Sequence, residues 1–185
     1  MLFSQSAIAV LEYTSITKGL LAVDIVANRS PVDVLMAEPI SHGKFILLFS
    51  GGVAEVEEAH MAAVRASGET LVENVLIAQV TRALGPAIGG GVIAPGSDDS
   101  VGMLESRSIA AAVEAADRVL KTAPLSLNRF RLGQGIGGKS YFIFSGHLED
   151  VQAGLEVGQE VLESRGSLLN SELIARPRAE FLEVV

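Results

Sequence analysis

Two stretches of the chain decide its fold, because one repeats the other: IAVLEYTSITKGLLAVDIVANRSP at residues 8–31 and VGMLESRSIAAAVEAADRVLKTAP at residues 101–124. Further along, HGKFILLFSG at residues 42–51 matches GGKSYFIFSG at residues 137–146, after a two-residue insertion in the second copy. Similarity at a fixed period is the mark of a duplicated structural unit. The chain is therefore one module written twice.

The repeat also predicts the domain boundaries. The first module is expected at residues 1–84 and the second at residues 100–185. Between them, residues 85–99 are rich in Gly, Pro, Ser and Asp, a composition typical of a linker.

Each module is predicted to alternate short strands with two amphipathic helices. In the first copy AIAVLEY, VDVLMAEP, KFILLFSG and LVENVLIA are apolar runs with the length and composition of strands. A helix is expected after Ser15, a good N-cap residue, and a second one over VAEVEEAHMAAVRAS. The order β-α-β-β-α-β predicts an α+β protein with two tandem ferredoxin-like modules. Four apolar residues share one face of the first helix at helical spacing: Ile16, Leu20, Val23 and Ala27.

Composition excludes several classes of function. The 185 residues carry a net charge of −8, which argues against nucleic acid or an anionic membrane as a partner. No cysteine is present, so disulfides, thiolate nucleophiles and cysteine-held iron–sulfur clusters are excluded. The first fifteen residues lack the basic start of a signal peptide, and Ser, Gln and Glu interrupt their apolar run. We therefore expect a cytosolic protein.

The stretch GQGIGGKS at residues 133–140 matches the phosphate-binding pattern G-x-x-x-x-G-K-[ST]. That loop binds phosphate only when a helix begins at its Lys-Ser end and directs backbone amides at the anion. Here the Lys-Ser pair is followed by the apolar run YFIF, and the next helix is expected only near Leu148. The pair therefore opens a strand, and we expect no nucleotide site.

Three stretches resemble the bacterial microcompartment shell domain, present here in tandem: AVLEYTSITKGLLAVD, SHGKFILLFSG followed by VAEVEEAH, and GIGGKSYFIFSGHLEDVQAGLEVG. The resemblance covers nearly the whole chain and is greatest to the tandem shell proteins of the propanediol-utilisation type. It implies a non-enzymatic homotrimer that mimics a hexamer and tiles edge to edge with other shell proteins. It also implies a central pore for small polar metabolites and a location in the bacterial cytoplasm, within the compartment shell.

The resemblance further implies roles for particular residues. Some relatives hold an iron–sulfur cluster through a cysteine at the position of Ser41, so no cofactor is expected here. Contacts with neighbouring discs are implied for Lys121 and Arg176, whereas the first copy has Asn28 and Gln79 at the matching positions. The loop between the two middle strands of each module lines the pore, which assigns to it Ser41, His42, Gly43, Gly135, Ile136 and Gly137.

Histidines and repeated carboxylates leave alternatives open. His42 is either an exposed turn residue or one of three imidazoles around the axis, which could titrate or hold a metal ion. Glu12 and Glu105 occupy equivalent positions, which favours a shared fold or interface role over acid–base catalysis. His60 and His147 are expected to be solvated or capping residues, so no catalytic residue and no metal ligand is assigned.

Two other classes of function compete with the shell subunit. One is a sensor that binds a small ligand between its modules, and the other is a metal-dependent or redox enzyme. The missing cysteines and the scattered histidines disfavour the enzyme.

Overall fold

The structure, a computed structural model, describes residues 7–96 and 99–182. It divides into two compact units. Unit 1 holds the chain up to Val80 together with Gly133–Gly138, and unit 2 holds Thr81–Leu132 together with the chain from Lys139 onward. The boundary between the units thus follows the repeat, except that a six-residue loop of the second copy belongs to unit 1.

Both units contain the predicted order of elements, β-α-β-β-α-β, and unit 2 adds a short helix before it and another after it. Unit 1 contains β1 (Ala7–Tyr13), α1 (Ile16–Arg29), β2 (Asp33–Ile40), β3 (Lys44–Gly51), α2 (Val53–Ser67) and β4 (Leu71–Ile77). Unit 2 contains α3 (Leu84–Ile88), β5 (Ser100–Ser106), α4 (Ile109–Thr122), β6 (Ser126–Leu132), β7 (Ser140–Gly146), α5 (Leu148–Ser164), β8 (Leu168–Ile174) and α6 (Ala179–Leu182).

Each unit folds around one four-stranded antiparallel sheet. The strand order is β2-β3-β1-β4 in unit 1 and β6-β7-β5-β8 in unit 2. The first and third strands of each copy are therefore central, as in a ferredoxin-like fold, and both copies carry a bulge in the edge strand, at Val34/Met36 and at Leu127/Arg129. The predicted α+β fold with two ferredoxin-like modules is confirmed.

The first helix of each copy starts at the predicted serine. Ser15 Oγ accepts a hydrogen bond from the Lys18 amide at 3.3 Å, and Ser108 Oγ accepts one from the Ala111 amide at 3.2 Å. Both serines have extended backbone angles, as an N-cap residue requires. The chain leaves this helix before a proline in each copy, so the local signals and the structure agree.

Helix α1 turns only part of its predicted apolar face toward the core. The residues of α1 buried against the sheet are Gly19, Ala22 and Val26. Ile16 and Leu20 are instead 37% and 55% exposed. We call the four residues Ile16, Leu20, Val23 and Ala27 the α1 stripe, of which Val23 alone packs against the core and is partly buried.

The core of unit 1 lies between its sheet and its two helices. Gly19 allows the helix to approach the sheet closely, because an added Cβ would lie 2.2 Å from the Phe45 ring. Burial raises the pKa of the Tyr13 hydroxyl, which accepts a hydrogen bond from Ser67 at 3.3 Å. The largest buried side chains facing α1 and α2 are Leu11, Tyr13, Phe45, Leu47 and Phe49.

The predicted linker is not featureless. It contains α3, and Ile93 pairs with the edge of β6. The Ile93 amide donates to the Asn128 carbonyl at 3.0 Å, and the Asn128 side-chain amide donates to the Ile93 carbonyl at 2.9 Å. Composition predicted only a linker here, and the domain boundaries at 84 and 100 stay predictions.

Within the described residues, no helix combines the length and hydropathy needed to cross a membrane.

Candidate functional site

The two loops assigned to the pore connect equivalent strands. Residues Ser41–Gly43 form a short turn between β2 and β3, and residues 133–139 connect β6 to β7. Because the strands on either side are antiparallel neighbours, each loop is the end of a hairpin. The sequence repeat therefore placed both loops correctly on the fold.

His42 adopts a backbone conformation that few side chains tolerate. Its φ is +62° and that of Gly43 is +76°. The repeat aligns these two residues with Gly137 and Gly138, whose φ angles are +68° and +70°. Both copies therefore use two consecutive left-handed residues at this turn, and only the first copy places a side chain on the first of them, at a cost of about 1 kcal/mol.

The loop of the second copy packs against the loop of the first. Ser41 Oγ donates a hydrogen bond to the Gly133 carbonyl at 3.2 Å. A Cβ added to Gly138 would lie 3.2 Å from the Ser41 carbonyl oxygen, and one added to Gly137 would lie 3.8 Å from His42 Cε1. The glycines of the second loop thus leave room for the first, and residues 133–138 complete unit 1.

Two further polar groups join the loops, and the sequence analysis missed both. Gln134 Nε2 donates to Glu38 Oε1 at 2.5 Å and lies 3.7 Å from the sulfur of Met36. A hydrogen bond to a charged carboxylate is among the stronger ones in proteins. Gln134 therefore fixes the second loop to β2. The sequence pattern could not predict this hydrogen bond, because Gln134 and Glu38 are 96 residues apart.

The assigned residues present mostly polar groups to solvent. His42, Gly43, Gly135 and Gly137 are exposed, and Ser41 and the apolar Ile136 are partly exposed. The arrangement offers a hydroxyl, an imidazole and backbone amide groups on one small surface. Across residues 7–96 and 99–182, no three His, Cys, Asp or Glu residues lie close enough together to hold a metal ion.

The phosphate-loop motif is followed by a strand, as predicted. Lys139 Nζ forms an ion pair with Glu105 Oε1 at 2.8 Å. Strand β7 starts at Ser140, and α5 starts only at Leu148. The prediction that the Lys-Ser pair opens a strand is confirmed.

The two copies differ at the residues assigned to edge contacts. Lys121 Nζ lies 2.5 Å from Asp117 Oδ2, while the other oxygen of Asp117 accepts a hydrogen bond from the Thr81 amide at 2.7 Å. In the first copy Asn28 donates to both the carboxylate and the carbonyl of Asp24, each at 2.9 Å. Lys121 therefore presents an exposed positive charge, which Asn28 at the matching position lacks.

Arg176 is exposed and has a left-handed backbone with φ +53°.

The structure agrees with the prediction for one of the two remaining histidines and not for the other. His147 is exposed at the N-cap position of α5 and makes no side-chain cap bond. His60 is partly buried, and its Nε2 donates to Asn74 Oδ1 at 2.9 Å. Burial lowers the pKa of His60, and the bond to Asn74 opposes that shift. The prediction that His60 is a solvated or capping residue is therefore wrong, because its neighbours on β4 were not visible from the helix sequence.

Comparison with known proteins finds the same module twice. The BMC domain model matches residues 7–80 and 100–177. The bacterial microcompartment shell protein PduT of Citrobacter freundii is 34% identical over 171 residues, which are 92% of this chain and 92% of that protein. The carboxysome shell protein CcmK2 of Synechocystis sp. is 37% identical over 89 residues, 46% of this chain and 82% of that protein.

Solved structures show the same architecture. A microcompartment protein from Desulfitobacterium hafniense superposes with a TM-score of 0.86 at 28% identity, covering 98% of this chain and all of that one. A fused, permuted hexameric shell protein from the RMM microcompartment gives a TM-score of 0.62 at 19% identity, over 84% of this chain and 81% of that chain. The second likeness concerns the fold alone.

Proposed function

The chain belongs to the BMC domain family of bacterial microcompartment shell proteins, and on that premise we propose that it is a structural, non-catalytic subunit of such a shell in the bacterial cytoplasm. Three copies form a closed ring in which six modules surround a central opening. Two unlike copies of a module cannot form a true sixfold ring, but a threefold ring of double modules approximates one.

One observation carries the pore assignment. Ser41 and Gly133, which belong to the hairpin loops of different copies, share a hydrogen bond of 3.2 Å. The candidate residues of both copies therefore form one polar surface within unit 1, and a threefold axis beside it would gather three such surfaces. Pore selectivity follows from width and from the donors and acceptors of the lining. The lining residues, His42 and the glycines of both loops among them, suit small polar metabolites.

A cysteine scan tests the ring and its axis, because the chain has no cysteine of its own. Native mass spectrometry of the unmodified protein should give three times 19.4 kDa, about 58 kDa. Oxidised His42→Cys protein should form disulfide-linked dimers, since three such side chains converge on the axis. His147→Cys, exposed at the start of α5, is the matched control and should stay unlinked. A monomer or dimer in the unmodified protein would contradict the proposal and favour the ligand-sensor alternative.

The edge residues support a place inside a mixed facet. Lys121 offers an exposed cation in the second copy, whereas Asn28 offers an amide bonded within its own helix. Because the two copies differ at these positions, the ring has edges of two kinds. Such a ring suits a place as a minority component among other shell proteins better than a uniform sheet made of this protein alone. Lys121→Ala should reduce incorporation into co-expressed shells while leaving a 58 kDa trimer, with Asn28→Ala as the control. Loss of the trimer in Lys121→Ala protein would contradict the edge role.

A further inference from the structure

Gln134 holds the loop of the second copy to β2 through two acceptors of unequal strength. Its Nε2 lies 2.5 Å from Glu38 Oε1 and 3.7 Å from the sulfur of Met36. Met36 and Glu38 are two residues apart on β2, so both side chains project from the same face of the sheet. The amide nitrogen of a glutamine carries two hydrogens. One of them therefore bonds the carboxylate, and the other is directed at the thioether.

Oxidation turns the weaker of these acceptors into a strong one. A thioether sulfur is a weak acceptor, whereas methionine sulfoxide is polar and its oxygen accepts hydrogen bonds. Hydrogen peroxide can supply that oxygen. The sulfur lone pair attacks one peroxide oxygen, the O–O bond breaks, and the leaving hydroxide takes the proton of the transferred oxygen and departs as water. The sulfur is thereby oxidised by two electrons and the peroxide is reduced by two.

We propose that Met36 is a site of reversible oxidation by hydrogen peroxide, and that its sulfoxide accepts the second hydrogen of Gln134 and so holds residues 133–138 more tightly to β2. Methionine sulfoxide reductases restore the thioether, so the change is reversible. The inference concerns contacts within unit 1 and stands whether or not three chains form a ring. It makes the surface formed by the two loops responsive to peroxide.

The position of Met36 suits both the reaction and the new hydrogen bond. Strand β2 is at the edge of its sheet and Met36 is partly exposed, so peroxide has access to the sulfur. The same exposure lets the added oxygen keep contact with water, which avoids the cost that a polar group carries in a closed core. Gln134 is also partly exposed, and its amide can therefore bond the new acceptor while keeping Glu38.

The second copy of the module has no oxidisable side chain at this position. Met36 pairs with Leu48 across the sheet, and the equivalent pair in unit 2 is Arg129 with Ile143. An arginine has no lone pair that accepts a hydrogen bond and no sulfur to oxidise. The two edge strands share a bulge at this point, but the peroxide-sensitive site belongs to the first copy.

Hydrogen–deuterium exchange of the full chain tests the proposal, read by mass spectrometry on the peptide that contains residues 133–138. Hydrogen peroxide should add one oxygen to Met36, located by peptide mapping. Exchange of the loop peptide should then slow by about two- to tenfold, as one added hydrogen bond predicts. Treatment with methionine sulfoxide reductases should restore the original rate.

Two variants separate the new hydrogen bond from other effects of peroxide. Met36→Leu conserves side-chain volume and leaves Met61, which is 50% exposed on α2, to be oxidised in the same reaction. Exchange of its loop peptide should not respond to peroxide. Gln134→Ala keeps Met36 but lacks the donor, so Met36 should be oxidised without slower exchange.

Three results would overturn the proposal. In the first, Met36 stays reduced while Met61 is oxidised. In the second, the loop of the oxidised protein exchanges at an equal or faster rate. In the third, the slowing persists in Met36→Leu or Gln134→Ala protein. None of these readouts depends on the mass of the assembly, so failure of the ring and failure of this site are distinguishable.

Discussion

The two copies of the module solve the same packing problem with different side chains. Unit 1 fills the space under its first helix with Phe45 and accommodates it with Gly19. At the equivalent positions unit 2 has Ser140 and Ala112, both fully buried. Unit 1 thus pairs a large ring with a glycine, whereas unit 2 pairs a small hydroxyl with an alanine. The two units share a backbone, and the side-chain volumes on the helix and on the strand differ between them in compensating directions.

Unit 2 also has aromatic side chains in its core, but at different positions on the sheet. Tyr13 of β1 corresponds to Ser106 of β5, whose hydroxyl lies 2.7 Å from that of Ser167. Unit 2 instead packs Phe130 against Phe142, with ring centroids 5.6 Å apart in an edge-to-face arrangement. The comparison teaches that the module requires a filled core between sheet and helices but does not specify which strand supplies the rings.

The largest expected effect comes from giving unit 1 the small residue of unit 2. Phe45→Ser removes a fully buried ring and should lower the free energy of unfolding by about 3–5 kcal/mol. Urea denaturation at fixed protein concentration measures it. Ser140→Ala is the control, because the buried Ser140 hydroxyl has no hydrogen-bond partner among the residues that the structure describes, so its loss should leave stability equal or higher. An effect of Phe45→Ser under 1 kcal/mol would mean that the two cores are interchangeable.

A smaller effect is expected from the other half of the exchange. Gly19→Ala places a Cβ within 2.8 Å of three Phe45 atoms, including its Cβ, so the helix or the strand must shift. The resulting strain should exceed the helix propensity gained by alanine and cost about 1–3 kcal/mol. In the double variant with Phe45→Ser, the cost of Gly19→Ala should fall, since the two ring atoms at 2.2 and 2.4 Å are gone and only the contact with the Cβ at 2.8 Å remains. Additive costs in that double-mutant cycle would show that the two positions are not coupled.

The smallest expected effect is a pH dependence of stability that arises from His60 of unit 1. Burial lowers the pKa of His60 below its usual 6.5, so the unfolded chain takes up a proton first as the pH falls. The contribution to stability is complete above pH 6.5 and is lost as the pH falls through the lowered pKa. His60→Leu, which copies Leu155 of unit 2, should remove this dependence from urea midpoints measured between pH 7 and pH 5. His147→Gln should preserve it, and an unchanged slope in His60→Leu would assign the dependence to other groups.

Sequence predicted the fold well because the repeat supplied two independent readings of each element. The strand predicted before Ser41 in the first copy, for example, has a counterpart before Gly133 in the second. The P-loop match was rejected because an apolar strand, and not a helix, follows its Lys-Ser pair. The paired loops were located, but their bond through Gln134 and Glu38 was not, because contacts at a separation of 96 residues leave no local periodicity.

Exposure of the α1 stripe could not be predicted for a different reason. Ile16 and Leu20 of α1 are as apolar as Ile109 and Val113 of α4, which are fully buried. Hydropathy therefore does not distinguish the exposed pair from the buried pair. The core-facing glycine of α1 also misled the pattern, because Gly19 carries no hydrophobic side chain although it lies against Phe45.

The return of residues 133–138 to unit 1 has a consequence for synthesis of the chain. A ribosome adds about 5–20 residues per second, and unit 1 is incomplete until Gly133 and Gln134 have emerged to bond Ser41 and Glu38. The first sheet can form early, but its loop at Ser41 waits for half of the second copy. Contacts that span so much chain form slowly. The candidate pore surface is therefore finished only after the first sheet, and a chain truncated between the copies would lack it.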